Sequence, residues 1–350
     1  MTLPGATPRL ADPFAVHPAL PTGPDGVVIA APAKLNLFLE ILRRRPDGFH
    51  ELESLMAAVE LFDTLEIRTR GAAVKPGFVG DRPRGTTGAA VKPGLAGDRS
   101  RDPTDGALTL FCEPASLSAG PDNLVHKAAT ALRTHVNRPQ LGAEIRLTKR
   151  IPAQAGLGGG SSDAAAALVG LNRIWKLGLT REELVGIAAS VGSDVAFFLT
   201  LPAAWCTGRG EIATPEPIAE GARPFHFVLV FPPVGLGTAG VYRRLAVPEK
   251  PVPGAGVRNA FRTGDAEALG RALFNRLEEP ALALEPLVGR IRQRLAACGP
   301  CGAMMSGSGS TVFAVCHDRP HAVKVAEKFL DSRPADEPES RVLVLRSFTP

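Results

Sequence analysis

Apolar residues recur along this chain with two periods, and the switches between them predict its elements. The apolar stretches at 27–30 and 35–42 read as strands, and alternation, the mark of a half-buried strand, runs through 64–70 and 107–112. Pro32 is expected to break the first two apart, and Pro46, Asp47 and Gly48 read as a turn. Helical spacing follows at 123–135 and 161–175, and a third helix opens at Thr180, where Thr180 and Glu183 spell a capping box. Further strands are predicted at 143–149, 226–231, 303–305, 311–316 and 341–346, with helices at 239–245, 265–274, 287–297 and 321–330. Strands and helices mix without strict βαβ alternation, which predicts an α+β fold.

At 350 residues the chain is long for one core. We expect two domains, at 27–204 and 205–350, preceded by a disordered extension over 1–26 that lacks the basic and apolar regions of a secretory signal. One segment stands apart. The run from Gly71 to Gly77 recurs from Gly88 to Gly94, and both copies continue into Gly-Asp-Arg. A solenoid needs more copies, each with an apolar face to bury. Pro, Gly and charge dominate here, so 71–105 reads as a duplicated, mobile surface loop inserted between two strands.

Composition narrows the class. An apolar fraction of 45% with 21% charge is that of a globular protein, and no apolar run is long enough to span a membrane. Aromatic residues make up 5%, too few for a broad stacking surface on single-stranded nucleic acid. A net charge of +5 is compatible with an anionic ligand but decides nothing alone. Five cysteines at irregular spacing form no disulfide framework and predict a reducing, cytoplasmic setting.

The strongest chemical signal lies between Pro152 and Ser162. A strand ends near Lys149, and four glycines within five positions (Gly156, Gly158, Gly159 and Gly160) lead into Ser161, Ser162 and an Ala-rich helix. Without Cβ atoms, successive backbone N–H groups can close on a polyphosphate, and the helix N-terminus adds donors and partial positive charge. The two serines can serve phosphate or Mg²⁺. No Gly-Lys-Ser/Thr ends the loop, so it is not a Walker A loop. Lys34 and Asn36 share one strand face, placing an ammonium beside an amide. Asp194 precedes the apolar run from Val195 to Phe198, where an Asp ordinarily caps a helix or makes a turn. A second Gly/Ser loop spans Ser306 to Ser310. Cys298 and Cys301 have thioredoxin spacing, but they follow a helix and lead into a strand, the reverse of the redox arrangement, so we read two unrelated thiols.

Together these segments resemble the three motifs of the GHMP kinases, over roughly residues 27–347: 32–39 as the first, 152–162 as the second and 306–310 as the third. The Lys-Leu-Asn-Leu strand from Lys34, the Asp47-Gly48-Phe49-His50 turn and the Asp122-Asn123-Leu124 step are similar to the branch that phosphorylates a cytidylyl polyol. The resemblance implies a two-domain fold, with a ribosomal-protein-like N-terminal domain and a ferredoxin-like C-terminal domain. It implies ATP and Mg²⁺ as cofactors, and transfer of the γ-phosphoryl to the 2-hydroxyl of a methylerythritol moiety in non-mevalonate isoprenoid precursor synthesis. It implies catalytic roles for Lys34 and Asp194. ATP would meet Pro152, Ala153, Gln154, Ala155, Gly156, Leu157, Gly158, Gly159, Gly160, Ser161 and Ser162, with Asn123 and Lys149 flanking the adenine. Asn36, Phe49, His50, Thr238 and Tyr242 would hold the substrate, and no residue is assigned as a metal ligand.

Two departures from the family pattern stand out. Phe49 replaces the usual Tyr, and Ala153-Gln154-Ala155 stands where glycines are frequent, so the first turn of the loop is expected to be shaped differently. The partners expected are a small-molecule substrate, no nucleic acid and no membrane, for a monomer or homodimer. Two other classes remain open at this point: a ligand-binding sensor without turnover, against which the intact Lys34 and Asp194 argue, and an RNA-binding module, which the basic pI would favour.

Overall fold

The computed structural model describes residues 26–69 and 106–348. The duplicated segment at 71–105 and residues 1–25 of the extension lie outside the described residues.

The chain enters as two long antiparallel strands, β1 (Gly26–Arg44) and β2 (His50–Thr69), joined by the Pro46-Asp47-Gly48 turn. Pro32 does not divide β1 as expected. It faces Phe62 across the ladder, and the register shifts between Pro32 and Ala33, so a bulge absorbs the missing N–H and the strand continues. The first two-thirds of β2 carries no strand signal in the sequence for a related reason. Residues 54–59 are buried on both faces, which erases the alternation that reveals a half-exposed strand.

Then follow β3 (Leu108–Glu113), α1 (Leu124–His135), β4 (Ala143–Thr148), α2 (Gly159–Ile174), α3 (Arg181–Val191), α4 (Val195–Phe198), β5 (Ala203–Thr207) and β6 (Ile212–Pro215). The capping box at Thr180 is made, with Glu183 N–H donating to Thr180 Oγ1 and the Thr180 N–H to the Glu183 carboxylate. The sheet order is β3-β4-β2-β1, and β5 pairs with β2 and β6. Helices α1 to α3 share one apolar core with this sheet. Small residues let α2 lie close on it: a Cβ at Gly170 would come 2.4 Å from Ile67 Cδ1.

The second half runs β7 (His226–Phe231), α5 (Thr238–Arg244), α6 (Ala255–Thr263), α7 (Ala266–Ala272), β8 (Phe274–Asn275), α8 (Glu278–Leu284), α9 (Pro286–Ala297), β9 (Gly302–Met305), β10 (Val312–Cys316), α10 (Arg319–Asp331) and β11 (Arg341–Arg346). Its antiparallel sheet has the order β11-β7-β10-β9. The period of two along β7 decides which core each side chain joins. Val228 and Val230 pack among α9 and α10, whereas Phe227, Leu229 and Phe231 pack with residues of β1 and β2. The two halves are therefore bound by an apolar core, and β8 adds itself in parallel to β1 of the first sheet. A division at residue 204 falls inside β5, which together with β6 stays in the first sheet. The fold is α+β, as the element order predicts.

Candidate active site

Lys34 and Asn36 lie in the buried stretch of β1, and their side chains meet as the strand period requires, with Lys34 Nζ donating to Asn36 Oδ1. Asn36 Nδ2 donates to Ser54 Oγ at 2.8 Å, and that hydroxyl donates to the Phe38 carbonyl at 2.6 Å, so the amide's orientation is set from below. Lys34 Nζ stands 3.6 Å from Asp194 Oδ2. Burial pulls the Lys34 ammonium below the usual lysine range, while Asp194 works against that shift. Asp194 occupies the N-cap position of α4 but makes no capping bond. Its carboxylate is left facing the lysine and the cleft.

The glycine loop runs past this pair. Gly158, at the N-cap of α2, has φ 67°, and a Cβ there would press on Phe198 and on Lys34 Cγ. Gln154 adopts φ 53°, so this chain holds a left-handed turn with a residue that is not glycine. Gly156 is required by a neighbour: its Cβ would fall 2.0 Å from the Ser306 carbonyl oxygen. That contact is part of a stitch between the two glycine-rich loops. Ser306 Oγ donates to the Gly156 carbonyl at 3.0 Å, and the Thr311 N–H donates to the Ala155 carbonyl at 3.3 Å. The loop at 306–310 thus buttresses the first loop.

Beneath the loop, Lys149 Nζ is held between Asp63 and Asp163, 2.7 Å from Asp163 Oδ2. Burial pushes the Asp163 carboxyl up; Lys149 opposes this and Asp63 adds to it. Asp63 also accepts the Ile151 N–H at 2.9 Å, tying β2 to the start of the loop. Neither Asp63 nor Asp163 was assigned a role from sequence. Asp63 gave no distinguishing signal, because β2 also carries Glu51, Glu53, Glu60 and Glu66; only its complete burial, which demands a partner, sets it apart. Asn123 caps α1, accepting the Val125 N–H at 2.9 Å and donating to the Ser118 carbonyl at 2.7 Å.

At the other end, Phe49 is 52% exposed, and His50 lies against Tyr242 of α5 with ring centroids 5.3 Å apart. Burial, reinforced by Arg44, lowers the His50 pKa and favours the neutral imidazole. Thr238 Oγ1 pairs with Ser308 Oγ at 2.9 Å, joining α5 to the second glycine-rich loop. One cleft of about 1340 Å³ is lined by the residues singled out from sequence, with Ser162 as the exception. Ser162 is fully buried, and its hydroxyl has no hydrogen-bond partner among the described residues.

Cys298 and Cys301 are both free thiols, and Cys298 Sγ donates to the Arg294 carbonyl at 3.2 Å. Cys301 converges with His317 and His321, yet both ring nitrogens of His321 already face backbone partners and His317 Nε2 faces Glu267. No helix among the described residues is long and apolar enough to cross a membrane.

Comparison with known proteins agrees with this geometry. Residues 123–200 match the GHMP kinases N terminal domain, and residues 257–334 match the GHMP kinases C terminal domain. A 4-diphosphocytidyl-2-C-methyl-D-erythritol kinase of Pelotomaculum thermopropionicum is 39% identical over 330 residues, covering 93% of this chain and 99% of the relative. One of Shouchella clausii is 36% identical over 288 residues, covering 82% and 84%. A solved 4-(cytidine 5'-diphospho)-2C-methyl-D-erythritol kinase superposes with a TM-score of 0.68 at 29% identity, covering 93% of this chain and all of the other. A homoserine kinase from Cytophaga hutchinsonii, at 17% identity and a TM-score of 0.67 over 94% and 96%, shares the fold. With its two glycine-rich loops stitched beside a buried lysine that meets an aspartate at the cleft, the chain belongs to the GHMP kinase family, alongside the 4-diphosphocytidyl-2-C-methyl-D-erythritol kinases.

Proposed function

We propose that this protein transfers the γ-phosphoryl group of ATP to the 2-hydroxyl of 4-diphosphocytidyl-2-C-methyl-D-erythritol. The observation that carries this reading is the 3.6 Å Lys34–Asp194 pair set between a phosphate-type loop and the Phe49–His50 pocket. Phosphoryl transfer proceeds through a loose transition state, so positioning and charge stabilisation supply most of the acceleration. In this arrangement Asp194 orients the acceptor hydroxyl and takes up its proton. A carboxylate is a weak base for an alcohol, so the proton moves late. Lys34 offsets the charge that develops as the new P–O bond forms. The backbone of residues 156–160 and the N-terminus of α2 hold the nucleotide's phosphates.

The unpartnered, buried Ser162 hydroxyl beside this loop is an oxygen donor that fits Mg²⁺ or a phosphate oxygen. When bound, Mg²⁺ neutralises charge on the β- and γ-phosphates. Phe49 stacks the pyrimidine and the neutral His50 reads its edge, with Asn36, Thr238 and Tyr242 around the polyol. Lys149, committed to two carboxylates, fixes the loop from beneath and borders the adenine side with Asn123.

The test is a panel in which the purified protein, ATP and Mg²⁺ are offered the cytidylyl methylerythritol, mevalonate and homoserine. Phosphorylation of the first alone is expected. Turnover of another alcohol in its place would overturn the substrate assignment and leave the kinase reading standing.

A further inference from the structure

The tight connection between β5 and β6 carries a cation that the proposed chemistry leaves unused. Gly208 and Gly210, with φ 74° and 109°, fold it back, and the Leu52 N–H donates to the Gly208 carbonyl at 2.8 Å, pinning it to β2. Gly210 lies against the reacting end of the cleft, since a Cβ on it would stand 3.5 Å from Asp194 Oδ1. Between these glycines, Arg209 sends its guanidinium over the face of Phe49, 4.9 Å from the ring centroid. Its Nε is 3.6 Å from Glu211, while the Arg209 N–H donates to that same carboxylate, so the turn holds its own side chain in place. The turn, with Gly210 beside Asp194 and the Arg209 guanidinium over Phe49, therefore spans the interval from the carboxylate that would meet the hydroxyl to the ring that would meet the base.

Of the cationic side chains lining the cleft, Lys34 faces Asp194 and Lys149 faces Asp63 and Asp163. Arg44 and Arg243 sit at exposed positions. Arg209 is only partly exposed and stacked, so little side-chain freedom is lost when it binds an anion. A ligand with a base at Phe49 and an alcohol at Asp194 must place whatever joins them beside this guanidinium. We propose that Arg209 binds the diphosphate bridge of the substrate, its planar fork donating to the phosphate oxygens while one face rests on Phe49. This rests on the cytidylyl reading of the site.

The experiment compares cytidine and cytidine diphosphate as competitive inhibitors of the wild type and of Arg209→Gln, with Arg209→Lys as a charge-conserving partner. In Arg209→Gln, the inhibition constant of cytidine diphosphate should rise about tenfold or more, while that of cytidine moves by less than about twofold. KM for the substrate should rise more than kcat falls, and Arg209→Lys should recover part of the loss. Equal weakening of cytidine and cytidine diphosphate would make Arg209 a support for the base platform and overturn the proposal. Unchanged constants for both would overturn it as well. A wild type that cytidine diphosphate does not inhibit would remove the cytidylyl reading and this proposal together.

Discussion

Lys34 and Asp194, 160 positions apart in the sequence, meet at 3.6 Å, with the lysine buried in β1 and the aspartate at the head of α4 making no cap. A cap would have consumed the carboxylate; its freedom is what makes it available to an acceptor hydroxyl. Asp194→Asn is expected to lower kcat by at least about 10²-fold while nucleotide affinity changes little. Single-turnover kinetics and titration with a non-hydrolysable nucleotide check both halves, and near-wild-type turnover would remove the base role.

The same pair sets an alkaline limit. Burial holds the Lys34 pKa below 10.5 despite Asp194, so the ammonium loses its proton earlier than an exposed lysine would. kcat should fall as pH rises through that lowered value. Stability moves the other way. The unfolded chain keeps the proton to higher pH than the folded one, so this group adds stability as pH climbs toward 10.5. An alkaline loss of kcat with no accompanying fall in melting temperature is the expected signature, and Lys34→Arg should shift that limb upward because a guanidinium stays charged.

The two glycine-rich loops touch where Gly156 has no side chain. Gly156→Ala places a methyl 2.0 Å from the Ser306 carbonyl oxygen, in a residue whose φ is 74°. Separation of the loops should cost about 1–3 kcal/mol of stability and weaken ATP and ADP together. Thermal melts and calorimetric nucleotide titrations measure the two effects; wild-type values in both would show that the loops adjust freely.

The duplicated segment lies outside the described residues, but its anchors do not. Thr69 at the end of β2 and Leu108 at the start of β3 both pair with Ala143 of β4, from opposite sides. Two strand spacings, about 10 Å, therefore separate the ends to be joined. Replacing 71–105 with a short Gly-Ser linker should leave melting temperature within about 3 °C and kcat within about tenfold, since loop length alone costs little. A larger loss in either would mean that the segment packs on the core or covers the cleft.

Local chemistry was legible in the sequence wherever it depends on neighbours along the chain. The capping box at Thr180, the glycine loop opening α2, the shared face of Lys34 and Asn36, and the strand at His226–Phe231 each follow from a short-range rule, and each stands in the structure. The bulge at Pro32 and the doubly buried middle of β2 did not follow, because both depend on which strand lies alongside. Neither did the Asp63–Lys149–Asp163 cluster, the Ser306–Gly156 stitch or Arg209 over Phe49. Each joins residues from separate elements, and none leaves a periodic trace. The sequence by itself determined an α+β chain with a phosphate-type loop and a lysine and an aspartate of unknown separation. Tertiary structure alone decided that this pair is in contact, which carboxylates are already taken, and which guanidinium lies over Phe49, because burial and distance between side chains remote in sequence exist only once the sheets close on each other.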